Sequence, residues 1–553
     1  MGVLVMRTMS RRLIFTTLAT LAGCGDATRD PPPGAPVTFT IDSSQDVHPI
    51  SRFIYGMNAW NPSERPRNLA LSRSGGNRMT AYNWETNASN AGNDWHNQND
   101  DFLGGGAVPN GAVAPGLEAA RAAGAAMIVT MPMIGYVSAD KDGGGDVART
   151  PNYLAVRFHR SVARKGSPFS MMPDTRDAVV YQDEYIHFLD AKYPGAFAAA
   201  ANPLMISLDN EPDLWQHTHA RLRGDASTTT QAGRTATYVE MVQRTTEYAA
   251  AAKDVNPAVL IFGPVNYGWQ GMVRFQNTSD AADRDFLDFY LSQMKAAEGA
   301  AGRRLLDVLD VHWYPAPYPA CEADPEVGCP MTGEATDPAV VAARKQAPRS
   351  LWDPTYTEDS WIAKYGTQGP IRLLPRLRDK IAAHYPGTRM AITEYNYGGG
   401  DHISGAIAQA DVLGIFGREG LFAASVWPLT RSSDFLNGAF EMYRNYDGAN
   451  GSFGDTSIRA VTSDVVNTSV YASVTAGEAG GMVLVCINKD DVAHEATIAI
   501  THPVAFGAVQ VFQLTADSWR GRPRSLGKLT VTQRNRLLLP MPANSVSTLV
   551  LRP

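Results

Sequence analysis

Two short segments hold side chains that could do chemistry together. Ser207-Leu208-Asp209-Asn210-Glu211-Pro212 and Ala391-Ile392-Thr393-Glu394-Tyr395-Asn396-Tyr397 each place a glutamate just past a short apolar run. Both runs read as buried parallel strands. The glutamates lie 183 residues apart, so only the fold can bring them together. Two carboxyl groups at the carboxyl ends of barrel strands suit cleavage of a glycosidic bond. One protonates the leaving oxygen, and the other attacks or activates water. Glu211 is the candidate general acid/base: Pro212 fixes the turn after the strand, and Asn210 can hydrogen-bond a sugar 2-hydroxyl. Glu394 is the candidate nucleophile, with Tyr395 and Tyr397 placed to orient it or stack nearby. The plain alternative for either glutamate is a buried ion pair.

Other residues gather around this pair in the reading. His312-Trp313-Tyr314-Pro315 ends a further strand and forms an aromatic and polar cluster that suits a cleft wall. Trp427 closes the last barrel strand and suits stacking on a sugar ring. Trp215-Gln216-His217-Thr218-His219 follows Glu211; its His-x-His has no evident third metal ligand, so substrate contact or structural hydrogen bonding is preferred. In Gly75-Gly76-Asn77-Arg78, Arg78 is expected near the carboxylate pair, holding one of them ionised. Gly398 to Gly400 reads as a flexible loop beside the cleft. Asp174 and Asp177 form an acidic pair whose hard oxygens suit Ca²⁺, although solvated surface charge explains such a pair as well.

Positioning these residues requires a repeated unit. From about residue 116 to 430, helix-period segments ending in Gly or Pro alternate with short apolar strands, as in Thr237 to Pro257 before Val259 to Gly263. That grammar predicts an α/β fold, a (β/α)8 TIM-like barrel over about residues 50–455. Beyond it, alternating strands without helices (Val470 to Val474, Met482 to Asn488, Glu495 to Ile500, Val509 to Leu514, Leu529 to Thr532, Ser547 to Leu551) predict an antiparallel β-sandwich over 456–553. Residues 37–49 supply an early strand expected to pair with that sandwich.

Composition narrows the classes. The chain has 553 residues, 44% hydrophobic and 19% charged, with a net charge of −6. No Lys/Arg-rich stripe accompanies that balance, which argues against nucleic acid as a partner. Arg7, Arg11 and Arg12 precede an apolar run too short to span a membrane as a helix. The run ends Leu21-Ala22-Gly23-Cys24, like a bacterial lipoprotein box. Residues 1–24 thus read as a lipoprotein-type signal with Cys24 lipidated, and 25–36 as a flexible linker. Export to the cell envelope, on the outer membrane or cell surface, follows. Cys321 and Cys329 enclose a short loop that an exported protein can oxidise to a disulfide, and Cys486 reads as a buried thiol.

At this point the chain resembles glycoside hydrolase family 44. The resemblance rests on Gly75 to Arg78, Tyr82 to Glu85, Ala88 to Gly92, Gly135 to Asp140, Asp209 to Pro212, Asp307 to Pro315, Ala347 to Arg349 with Leu351 to Tyr356, Ile392 to Gly400, and Ala408 to Phe416. It implies a retaining endo-β-1,4-glycanase, a glycosidase acting on soluble glucans such as carboxymethyl cellulose and xyloglucan, with some members cutting xylan or mannan. It implies Glu211 as acid/base, Glu394 as nucleophile, and a structural calcium held by Glu85, Asp174 and Asp177. Two positions depart from the family pattern: Asn396 stands where an Asp is expected, and Pro428-Leu429 replaces a Gly-Asp-like turn. The expectation is a monomeric, membrane-tethered endo-β-1,4-glucanase using double displacement. Its rivals are a xyloglucan- or mannan-specific enzyme and a non-catalytic glycan-binding lipoprotein. Retention requires carboxyl groups about 5–5.5 Å apart, inversion roughly 6.5–9.5 Å.

Overall fold

The computed structural model describes residues 34–224, 233–429, 433–476, 480–529, 531 and 533–553. The signal segment, Cys24 and residues 25–33 lie outside the described residues. Eight parallel strands close into a barrel: Gly56–Asn58, Leu71–Ser74, Ala126–Met131, Leu204–Leu208, Leu260–Asn266, Val308–Trp313, Arg389–Tyr395 and Ala423–Val426. Most of these strands are buried on both faces, which explains their near-continuous apolar runs. The first two strands carry no such run, being three and four residues long with Asn58, Ser72 and Arg73 inside them. They escaped the sequence reading for that reason.

Side-chain alternation divides the barrel interior into layers. Leu71, Met205, Phe262, Val308, Ala391 and Ala423 pack together at the lower level. Two residues further along their strands stand Arg73, Ser207, Asp310, Thr393 and Ser425, all buried. The interior therefore turns from apolar to polar toward the carboxyl ends of the strands, where a barrel builds its site.

Helices cover the barrel, and some begin on side-chain caps. Thr237 accepts from the Glu240 amide at 3.0 Å, and Asp285 from the Asp288 amide at 3.1 Å. The chain beyond Thr456 forms a mostly antiparallel sheet that folds around its own core, including Phe39, Leu484, Ile498, Val511 and Leu549. Val37–Asp42 joins it, antiparallel to Thr456–Thr462 and parallel to His494–Thr501. Two of its strands, Thr456–Thr462 and Arg536–Met541, were not read from sequence, and the expected strand from Leu529 is Arg524–Leu529 instead. That strand is almost wholly exposed and carries Gly527 at φ 82°, so it has no apolar alternation to read. Among the described residues, no helix is long and apolar enough to cross a membrane.

Candidate active site

Glu211 sits on an unusual turn. The fourth strand ends at Leu208, and Asp209 and Glu211 both adopt left-handed backbone, φ 67° and 44°. Such conformations cost non-glycine residues about 1–3 kcal/mol each and persist only when their surroundings hold them. The buried Asp209 carboxylate does so. It accepts from Thr80 Oγ1 at 2.7 Å, from Trp215 Nε1 at 3.1 Å, and from the Ile134 amide at 3.1 Å. The Glu211 amide donates to the Val265 carbonyl at 3.1 Å, and Val265 is itself left-handed at φ 61°.

Glu394 is aimed by a β-bulge. Pairing between the sixth and seventh strands runs Val311 with Ile392, then His312 with Glu394, so Thr393 is the extra residue. Its backbone groups leave the ladder and are met by side chains. The Thr393 amide donates to Asp310 Oδ1 at 3.2 Å, and its carbonyl accepts from Asn58 Nδ2 at 2.9 Å. The bulge lets Glu394 join Thr393 on the interior side. Arg73 Nη1 donates to Glu394 Oε1 at 2.7 Å, and the Tyr314 hydroxyl to Oε2 at 3.0 Å. Both contacts stabilise negative charge on Glu394.

Glu211 has a different environment. Its Oε1 lies 2.8 Å from His312 Nδ1, which is also 3.5 Å from Glu394 Oε2. One oxygen of each glutamate and a His312 nitrogen lie within 4.8 Å of one another. Burial pushes the Glu211 carboxyl up to about 8, with Arg73 opposing and Asp94 adding. Burial pushes His312 down to about 3, so its imidazole is neutral at working pH. A proton-holding carboxyl beside one paired with a guanidinium is how acid and nucleophile roles separate. A cluster of this spacing could also take a cation, but the Arg73 guanidinium already occupies the Glu394 side.

The expected residues fall into two groups. Asn210 Oδ1 accepts from Arg73 Nη2 at 2.8 Å and from the Gly76 amide at 3.2 Å, and its amide nitrogen lies 3.4 Å from Asn77 Oδ1. His312, Tyr314 and Trp427 are at the site, the Trp427 ring covering Gly76. The others need correction. Arg78 pairs with Asp100 and stacks over Phe102, away from the glutamates; the guanidinium on Glu394 is Arg73. Trp215 is fully buried and braces the Asp209 turn. Trp313 alternates outward from His312 into the core. Tyr395 and Tyr397 are also buried; Tyr395 accepts from Gln409 at 2.8 Å and meets Phe416 edge-on. Gly398 to Gly400 is no flexible loop but buried backbone, against which Gly405 packs closely. Asn396, expected near a sugar, donates to the Trp427 carbonyl at 2.7 Å and so positions that residue.

A cleft of about 560 Å³ opens over Glu211 and Glu394. Tyr267, Trp269, Tyr314, Tyr318 and Trp361 line it, an aromatic wall suited to sugar faces. Tyr267 and Tyr318 stand on loops, and Trp269 and Trp361 at the starts of short helices, where no spacing marks them. Tyr318 and Pro330 flank the Cys321–Cys329 disulfide, which closes an eight-residue separation. A larger cavity of about 960 Å³ lies between barrel and sandwich but contains neither glutamate.

Glu85 is buried, and its Oε2 has no hydrogen-bond partner. Burial and the negative charges of Asp177, Glu184 and Asp174 push its carboxyl up to about 8, against Lys165. Asp174 and Asp177 lie within electrostatic reach of Glu85, but the three do not converge into one ligand shell as the glutamate pair does. Lys165 is paired with Glu184 beside them, and Asp174 with Arg176. The orphaned oxygen and the hard carboxylate donors are of the kind calcium takes, but the three side chains as placed form no ligand shell.

A closed parallel barrel with facing carboxyl groups after its fourth strand and on its seventh defines the glycoside hydrolase class of site. The comparisons agree. The family model described as glycoside hydrolase family 44 matches residues 88–317. The chain is 42% identical over 470 residues to endoglucanase A of Paenibacillus lautus, covering 82% of this chain and 64% of that protein. It is 36% identical over 540 residues to beta-mannanase/endoglucanase A of Caldicellulosiruptor saccharolyticus, covering 92% of this chain and 38% of that protein. It thus spans less than two thirds of these curated relatives. A Paenibacillus polymyxa xyloglucanase of family 44, solved with xyloglucan, superposes with a TM-score of 0.86 at 37% identity, covering 94% of this chain and all of that one. The chain belongs to glycoside hydrolase family 44.

Proposed function

We propose that this protein is a retaining endo-β-1,4-glucanase that cuts internal bonds of soluble glucans. The observation that carries the reading is the approach of a Glu211 oxygen to within 4.8 Å of a Glu394 oxygen. That fits the short spacing of a double displacement better than the gap an inverting enzyme leaves for water. Glu394, held by Arg73 and Tyr314, attacks the anomeric carbon while Glu211 protonates the departing oxygen. Glu211 then removes a proton from water, which displaces the sugar from Glu394. The open aromatic cleft supports an endo-acting enzyme. The names of the relatives support a second reading, in which xyloglucan or mannan is the preferred glycan.

Sequence features support further parts of the reading. The Leu21 to Cys24 box supports a lipid-anchored envelope protein, and the Cys321–Cys329 disulfide supports an oxidising compartment. Glu85, with Asp174 and Asp177, would hold a calcium that neutralises their mutual repulsion. We read the protein as a monomer.

Reducing ends released from carboxymethyl cellulose, xyloglucan, glucomannan and xylan test the activity. Release from a glucan, lost in Glu394→Gln, is expected. Binding without release from any of the four would replace the enzyme with a glycan-capturing protein.

A further inference from the structure

We propose that Asp310 is a proton partner of Glu211: the two carboxyl groups hold one proton between them through His312 and Thr393, with Asp310 and Thr393 acting as positioning residues. The inference rests on the assignment of Glu211 as acid/base. The chain of contacts is continuous and buried. Glu211 Oε1 lies 2.8 Å from His312 Nδ1; His312 Nε2 lies 3.4 Å from Thr393 Oγ1; Thr393 Oγ1 lies 2.8 Å from Asp310 Oδ2. Asp310, His312 and Thr393 are each fully buried. The bulge creates the link, because it turns Thr393 toward Asp310 with both amide and hydroxyl.

Donor counting makes the roles interdependent. A neutral imidazole has one N–H, and a threonine hydroxyl has one proton. When Asp310 is ionised, Thr393 donates to it and offers His312 only a lone pair. Nε2 then carries the imidazole proton, and bare Nδ1 accepts from protonated Glu211. When Asp310 is protonated, it donates to Thr393, Thr393 donates to Nε2, and Nδ1–H donates to the Glu211 carboxylate. Passing between the two arrangements moves one proton across each of three contacts and leaves His312 neutral throughout. With both carboxyls ionised, or both protonated, one contact in the chain is unsatisfied. The groups facing this chain are Arg73, Glu394 and Tyr314, with Asp94 and Asp213 near Glu211. Burial pushes Asp310 up to about 7 and Glu211 to about 8, close enough for one proton to be shared.

Two near-isosteric variants test this by the pH profile of kcat/KM on a glucan. Thr393→Val breaks the chain and frees His312 to donate from Nδ1, which stabilises ionised Glu211. In Asp310→Asn, the Thr393 amide claims the carboxamide oxygen, so the NH₂ group faces Thr393 and imposes the same donation. Both should move the alkaline limb down by about one pH unit, the worth of a single hydrogen bond. Thr393→Ser should restore it. At pH 8, hydrolysis of a 2,4-dinitrophenyl cello-oligosaccharide, whose leaving group needs no proton, should change less than about twofold, while polysaccharide cleavage falls about fivefold. Unmoved limbs in both variants, or a shift that Thr393→Ser shares, would overturn the coupling while Glu211 stands as acid. An active Glu211→Gln would overturn the acid assignment itself.

Discussion

At Arg73, one buried guanidinium reaches Glu394 at 2.7 Å, Asn210 at 2.8 Å and Asn58 at 3.0 Å. Removing it leaves Glu394 without its counter-charge and Asn210 without an anchor. Arg73→Met should lower kcat on carboxymethyl cellulose by about 10²–10³, with the circular dichroism spectrum retained. The raised Glu211 carboxyl sets a second expectation. The acid keeps its proton below about 8 and loses it above, so kcat/KM should fall on the alkaline side with a midpoint near 8. Both glutamates were legible because each follows a buried run and stands beside a distinctive neighbour. Arg73 was not legible, since Leu-Ser-Arg-Ser has no apolar pattern, and the nearby Gly-Gly-Asn-Arg drew attention to Arg78. Trp313, Tyr395 and Tyr397 were misread by proximity in sequence. Trp313 lies on the opposite face of its strand from His312, Tyr395 faces a covering helix, and Tyr397 is buried beside Tyr395.

Barrel strands do the positioning, and their irregularities do the aiming. The Thr393 bulge and the left-handed turn at Glu211 are local departures that no periodicity reveals. The long helix-then-strand units were legible, whereas the two shortest strands were not. Gly76 shows how a turn can hold a sugar platform. It sits at φ 87°, and a Cβ there would come within 2.7 Å of the Trp427 ring. Gly76→Ala should displace Trp427 and raise KM for glucan severalfold. Strain at that backbone should cost about 1–3 kcal/mol, read by denaturant unfolding.

The whole molecule is tied together by the helix Ile403–Arg418, buried along nearly its full length between barrel and sandwich. Its Asp411 accepts from the Tyr471 hydroxyl at 2.6 Å and pairs with buried Lys489 at 3.6 Å, both from the sandwich. Asp411→Ala leaves that lysine without its counter-charge and should destabilise the protein by about 3 kcal/mol. Calorimetry should show barrel and sandwich melting in one transition. Glu85 gives a pH test of the calcium reading. Folded Glu85 holds a proton up to about 8, while the unfolded chain releases it in the ordinary carboxylate range. In the presence of chelator, stability should therefore fall as pH rises between those values. At pH 8, added calcium should raise Tm in the wild type and leave Glu85→Gln unchanged.

The most direct test of the two-carboxylate account is the stereochemistry of the first product. Proton NMR during early hydrolysis of a soluble cello-oligosaccharide distinguishes the anomers before they equilibrate. Attack by Glu394 with proton transfer by Glu211 requires the β-anomer to appear first. Initial appearance of the α-anomer would mean that water attacks directly, contradicting Glu394 as the nucleophile.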